Sequence, residues 1–336
     1  MILPQRDRQR SRNSDHRKRR QKAMTEAIKA SDQRKRDIEM LEKQKQSIFY
    51  KSSIAGALMM SVSLLSSAPA TALTPPPENK PLPLVPHIAV YDLSIDKIQD
   101  QSNISGAYGR MVVEINGSKC EGHMVNMRFR LSVLNNKAGS NLTDVFSSSL
   151  EDGDAKFYRF NTTQYSNQKL TKTTVGEAKR AKEGQGIAIK TTKPKAVTTS
   201  FKGKTYLPTE HTKLIIEAAK KGIKTVSAPV YDGSENGDTL YDTTSFIGAP
   251  LKDDDFVTKA KIKNLKPLKG VQSWPVSVSF FEQKNGQKQD RTPDYEISFR
   301  LYENGVSRAL NLDYGEFSLI GKLKNITFLK AAPCDQ

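Results

Sequence analysis

From His87 onward, apolar and polar side chains alternate with a period of two along much of the chain, and that alternation predicts strands. Between Met124 and Val133, Met127, Phe129, Leu131 and Val133 fall on one face, and Arg128, Arg130 and Ser132 on the other. This is the pattern of an antiparallel strand with one buried and one wet face. His87–Ile95 alternates in the same way toward its end, and Gly109 to Asn116 places Met111, Val113 and Ile115 together. Lys156–Phe160 follows the turn sequence Glu151-Asp152-Gly153-Asp154. Toward the C-terminus, Val276, Val278 and Phe280 precede the turn Asn285-Gly286. Tyr295, Ile297, Phe299 and Leu301 run up to Asn304-Gly305, a strong hairpin dipeptide. Leu310, Leu312 and Tyr314 answer them, and Phe317, Leu319, Leu323, Ile326 and Phe328 close the series.

Two stretches break the rhythm. Residues 163–185 are rich in Thr, Lys and Gln, and predict shorter or exposed strands with loops between them. Residues 209–222 carry helical spacing instead: Thr209 as cap, a stripe of Leu214, Ile215, Ala218 and Ala219, and Gly222 as stop. About a dozen strands with one principal helix and no βαβ alternation imply a mainly β fold. The expected architecture is a large antiparallel sheet, curled or closed to protect its edges. Residues 87–336 are expected to form a single such domain.

The first quarter of the chain is a different material. Residues 1–51 are dense in Arg and Lys and too poor in aromatic side chains to bury a core. An apolar run from Ile54 to Leu65 and the small-residue site Ala70-Thr71-Ala72 follow, so 52–72 reads as a signal peptide cleaved after Ala72. Twelve helical residues rise only about 18 Å against a ~30 Å hydrocarbon core, which argues against a retained anchor. The basic segment is longer than a signal peptide needs, and a start at Met40 would give a conventional one. Residues 73–86 form a proline-rich leader. Of the formal charge of +17, the segment 1–51 holds 16 basic and 7 acidic residues. The part from Leu73 onward keeps +8, and nucleic-acid binding loses its main support.

The candidate chemistry is sparse. Two cysteines, Cys120 and Cys334, stand in the exported part, and an even count in an oxidising compartment favours a disulfide over two unrelated buried thiols. No Cys-x-x-Cys is present, and His87, His123 and His211 do not pair with the cysteines at zinc-ligand spacing. His211 could act as a base beside Glu210 or Asp232, the alternative being a polar group that merely serves a helix start. Asp232 to Asp238 alternates oxygen ligands but lacks the EF-hand spacing, so a glycine-rich hairpin turn is the expectation; Lys252-Asp253-Asp254-Asp255 reads as a solvated loop. No Gly-x-Ser-x-Gly elbow and no phosphate cradle appear, and neither a metal nor a cofactor is expected. Met127, Phe129, Leu131, Phe280, Phe299 and Leu301 are the candidates for an apolar concave face, either open to a ligand or plugged by the helix at 209–222.

Several stretches together resemble one family. They are His87–Leu93, Gly117-Ser118-Lys119-Cys120-Glu121-Gly122, Ser147 to Gly153, Leu207-Pro208-Thr209-Glu210-His211-Thr212, Val230-Tyr231-Asp232-Gly233-Ser234-Glu235, and Cys334. Their order over about residues 85 to 335 is similar to that of the envelope integrity protein B (EipB) family of alphaproteobacteria. The resemblance implies a periplasmic, spiral-shaped open β-barrel related in architecture to lipoprotein carriers, with a disulfide between the two cysteines. It implies a role in envelope integrity and supplies no reaction; the long basic N-terminus departs from the pattern. The expected function is therefore non-catalytic: binding of a protein partner or of an envelope lipid or polymer. A carrier of hydrophobic cargo and a hydrolase with a site near His211 are the alternatives.

Overall fold

The computed structural model describes residues 84–137, 139–181, 186–252, 254–283 and 292–331. The basic segment, the Met40 start, the apolar stretch with its Ala72 site, the leader up to Pro83, Asp253, the Asn285-Gly286 turn and Cys334 lie outside them.

Among the described residues, fifteen strands follow the alternation. They are β1 His87–Ile98, β2 Ile104–Ser118, β3 Gly122–Asn135, β4 Gly139–Glu151, β5 Phe157–Ser166, β6 Lys169–Arg180, β7 Ile187–Lys193, β8 Val197–Phe201, β9 Thr225–Val230, β10 Tyr241–Ile247, β11 Leu251–Lys252, β12 Gln272–Glu282, β13 Tyr295–Tyr302, β14 Ser307–Asp313 and β15 Phe317–Phe328. A principal helix, α1 (Pro208–Lys220), joins β8 to β9, and a short helix, α2 (Asp254–Lys259), follows β11. Asp254 and Asp255, expected in a solvated loop, therefore open a helical turn instead.

All these strands belong to one 15-stranded sheet in the order β8-β7-β6-β5-β4-β3-β2-β1-β15-β14-β13-β12-β10-β9, with β11 on β12 off this path. Every strand pair is antiparallel. Chain neighbours are mostly sheet neighbours, and the seam β1–β15 joins the first strand to the last, from His87 opposite Phe328 to Ile98 opposite Phe317. The sheet is not closed, because β8 and β9 end it on opposite sides. It nevertheless curls: Tyr158, Phe160, Ala178, Ile187 and Ile189 from β5–β7 share one core with Leu207, Tyr231 and Leu240, which flank α1 and β9 at the far end of the strand order. A second core sets Ile215, Ile216, Ala218 and Ala219 of α1 against Ile247, Trp274, Val276, Val278 and Leu301. A third packs the connection after β11, through Leu265 and Leu268, against β1, β14 and β15.

The polar middle departs from expectation. Within 163–185 the strands are full length, β5 running to Ser166 and β6 from Lys169 to Arg180, while the first residues of β6 are exposed as expected. Their buried positions are partly small, Gly176 and Ala178, because the Phe160 ring of the neighbouring strand fills the space above them; a Cβ on Gly176 would stand 2.5 Å from Phe160 Cζ. The helix begins slightly earlier than its sequence suggested. Leu207 is the N-cap, and Thr209 is buried inside the first turn rather than capping it. Its end is as expected: Gly222 has φ +73°, and Ile223 N–H and Gly222 N–H donate to Ala218 O and Ala219 O, at 2.9 and 3.1 Å.

Candidate ligand site between the helix and the sheet

The first free N–H groups of a helix need acceptors. In α1 the acceptor comes from β4. Glu151 lies on the inward-facing row of that strand, opposite His123 of β3, and its two carboxylate oxygens accept from Thr209 N–H at 2.7 Å and Glu210 N–H at 2.8 Å. The side chain of Glu210 turns back to accept from Leu207 N–H at 3.2 Å and pairs with Arg180 of β6 at 2.7 Å. Arg180 donates further to Ala155 O and Thr205 O. At the other end of the helix, Lys220 pairs with Glu303 at 3.3 Å. A strand-borne carboxylate and a strand-borne guanidinium thus fix where α1 sits against the sheet.

The polar groups at this junction are displaced from their ordinary titration. Burial pushes the Glu151 carboxyl up to about 7, against the pull of the two helix N–H groups and Lys213. Burial, reinforced by Lys213, takes His123 down to about 4, and its Nδ1 has no partner among the described residues. Lys213 is itself lowered by burial. His211 is lowered to about 4 by burial alone. Its Nε2 lies 3.3 Å from Thr243 Oγ1, whose own hydrogen goes to Ala228 O at 2.8 Å, so His211 donates. Neither carboxylate considered from the sequence meets it: Glu210 serves Arg180 and Leu207, and Asp232 accepts from Ser234 N–H at 2.9 Å.

The 231–240 stretch is a tight connection that grips the opposite side of the sheet. Tyr231 is fully buried and donates to Gly237 O at 2.8 Å; Tyr158 donates to Asp232 O at 2.9 Å, and Thr174 to Glu235 O at 2.8 Å. Gly233 and Gly237, at φ +70° and +80°, lie against the Phe160 ring. Among the described residues no three His, Cys, Asp or Glu side chains gather as a metal site. Gly153 allows close approach of Lys119 O in the β2–β3 turn, which carries Cys120. Four of the family-like stretches, 117–122, 147–153, 207–212 and 230–235, therefore converge around the start of α1.

Of the six candidates for the concave face, Leu131 and Leu301 are fully buried, while Met127, Phe129, Phe280 and Phe299 are half-buried against the cores. The helix fills the half of the interior that faces β10, β12 and β13. Beside the start of the helix, toward β2 and β3, a cavity of about 210 Å³ remains. Ile115 and Val125 of β2 and β3, Ile215 of α1, Phe299 and Leu301 of β13, and Leu84 line it, with Thr209 and Thr212 on the helix side. The concavity is thus plugged in one part and open in another. Sequence reasoning missed Glu151 and Arg180, although Glu151 shares the inward parity of Val145, Ser147 and Ser149, and a carboxylate on that parity needs a partner.

The EipB-like family model matches residues 78–330. The Cell envelope integrity protein EipB of Brucella abortus (strain 2308) is 40% identical over 240 residues, which cover 71% of this chain and 82% of that protein. A crystal structure of a β-barrel-like protein of a domain of unknown function from Brucella abortus superposes with a TM-score of 0.66 at 36% identity, over 74% of this chain and 100% of the other.

Proposed function

Because this chain belongs to the EipB-like family, we propose that it is an exported, non-catalytic protein of the cell envelope that shelters one apolar chain, such as an acyl tail, between α1 and the sheet. The observation that carries the reading is the cavity of about 210 Å³ with apolar walls on the β2, β3 and β13 sides. At ~30 Å³ for a water-sized group it holds roughly seven methylenes, a segment of a lipid tail. Met127 and Phe129, half-buried on the same strand as Val125, extend the apolar lining beyond it.

The envelope role rests on the name of the Brucella relative. Export rests on the signal-like stretch ahead of residue 73, which would deliver the chain to the periplasm. A disulfide between Cys120 and Cys334 belongs to the same reading, supported by an even cysteine count in an oxidising compartment. The partners in this picture are an envelope lipid and the protein to which it is passed or presented.

The test is native mass spectrometry and lipid extraction of protein purified from the periplasm, compared with Ile115→Trp, whose indole projects into the cavity and narrows it. Lipid that accompanies the wild-type protein and is lost from a folded Ile115→Trp supports the reading. Protein that carries no lipid and takes up none from mixed micelles defeats it.

A further inference from the structure

On the outer face of the sheet, away from α1, strands β2 to β5 form a depression of about 340 Å³. Two adjacent cross-strand rows line it. One is polar: Glu114, Asn126, Ser148 and Asn161 stand opposite one another in register. Within it Ser148 Oγ donates to Asn126 Oδ1 at 2.7 Å, and Asn126 Nδ2 donates to Glu114 Oε2 at 3.2 Å, which fixes the planes of the amide and the carboxylate. Asn161 ends the row with an amide that has no hydrogen-bond partner among the described residues. The next row brings Arg128 and Phe146. Phe146 is 41% exposed, and Arg128 lies 4.6 Å over its ring while held by two hydrogen bonds to Asp144, at 3.2 and 2.9 Å.

We infer that this depression is a binding site for an uncharged saccharide, a short stretch of a glycan. Sugar rings present vicinal hydroxyls on their edges and C–H groups on their faces. The row of fixed amide, carboxylate and hydroxyl groups matches the first, donor against acceptor. The exposed part of the Phe146 ring matches the second, and it loses little side-chain freedom on binding because Arg128, itself held by Asp144, already lies over it. A depression of this size lies at the small end of ligand pockets, about 300–1,000 Å³. The carboxylate of Glu114, which pairs with no cation among the described residues, disfavours acidic ligands, and the Arg128–Asp144 pair, already neutral, leaves no free positive charge to recruit one. The site is separate from the helix cavity and does not depend on what that cavity holds.

The experiment is calorimetric titration of the mature protein, purified from the periplasm, with triacetylchitotriose and with maltotriose. The expected result is saturable binding of at least one of them. Asn161→Ala should weaken it about fivefold, the loss of one neutral hydrogen bond, and Phe146→Ala should weaken it further. The melting temperature of Asn161→Ala should match the wild type, since its side chain is unpaired, and Ile115→Trp should bind the saccharide normally. Absence of saturable binding to both trisaccharides overturns the inference. So does unchanged affinity in both surface variants, or equal affinity for an uncharged polar tripeptide such as acetyl-Ser-Asn-Ser-amide.

Discussion

Replacing Gly233 by alanine tests how the two sides of the sheet are held together. Gly233 sits at φ +70°, and a Cβ there would lie 2.5 Å from Phe160 Cγ and 2.7–2.8 Å from both Cδ atoms. Phe160 cannot retreat, because it is 2% exposed and Gly176 brings backbone against its other edge. The left-handed backbone costs an alanine about 1–2 kcal/mol, and forcing a methyl into a packed core adds about 1–3 kcal/mol. The sum, about 2–5 kcal/mol, is a large part of the ~5–15 kcal/mol that holds a domain folded. Gly203 supplies the control: its φ is +82°, yet nothing lies within 4 Å of a Cβ built there, so Gly203→Ala carries the backbone cost alone. Urea unfolding followed by tryptophan fluorescence reads both, since Trp274 is buried in the α1 core. The midpoint should fall clearly further for Gly233→Ala than for Gly203→Ala. Phe160→Leu in the Gly233→Ala background should recover part of the difference. Equal losses in the two glycine variants would refute the packing argument, and with it the idea that the 231–240 connection clamps β5 and β6.

The remaining predictions concern protons and sulfur. His211 titrates near 4 when folded against an ordinary 6.5, so its contribution is intact above 6.5 and is lost as the pH falls toward 4; by linkage the loss is up to about 3 kcal/mol. His211→Gln should flatten that part of the unfolding-versus-pH curve. Glu151 has the opposite sign: raised from 4.5 to about 7, its contribution is complete below 4.5 and is lost as the pH rises through 7. Glu151→Gln should remove this dependence and lower stability most at low pH, because an amide NH₂ then faces a helix N–H, with the deficit shrinking as the pH rises through 7 and the buried carboxylate of the wild type ionises; hydrogen exchange of the first turn of α1 reports it. Cys120→Ser in oxidised periplasmic protein should lower stability by at most roughly 5 kcal/mol, the loop-entropy figure for a closure of this length, and the wild type with reductant should match the variant.

The legible part of this fold was the part written in large apolar side chains. β1, β3 and the hairpins of the last third announce themselves because most inward positions carry a Leu, Ile, Val, Met or Phe. β4 and β6 do not: their inward rows read Thr143, Val145, Ser147, Ser149 and Thr174, Gly176, Ala178, since bulk beside them is contributed by Tyr158 and Phe160 of β5. A strand whose partner supplies the volume has no hydrophobic signal of its own. The helix was legible from its stripe, but its cap was not. Thr209 has the right chemistry for a cap, and the acceptor that displaced it, Glu151, lies 58 residues away in sequence. The role of the Tyr231-Asp232-Gly233 stretch was hidden for the same reason: its glycine is required by Phe160, a contact across the interior.

The pairing of β1 with β15 also dictates an order of events. Two segments more than two hundred residues apart form neighbouring strands well inside the sheet, and contacts between such distant parts of a chain are the slow ones to form. In an exported chain, hairpins from β1 through β8 can assemble as it emerges from the channel, but the flank of β1 stays bare until nearly the last residue has crossed. Until then this strand presents an unsatisfied ladder to its surroundings, and a chaperone at the channel exit would have this flank to guard as well as the outer edge of β8.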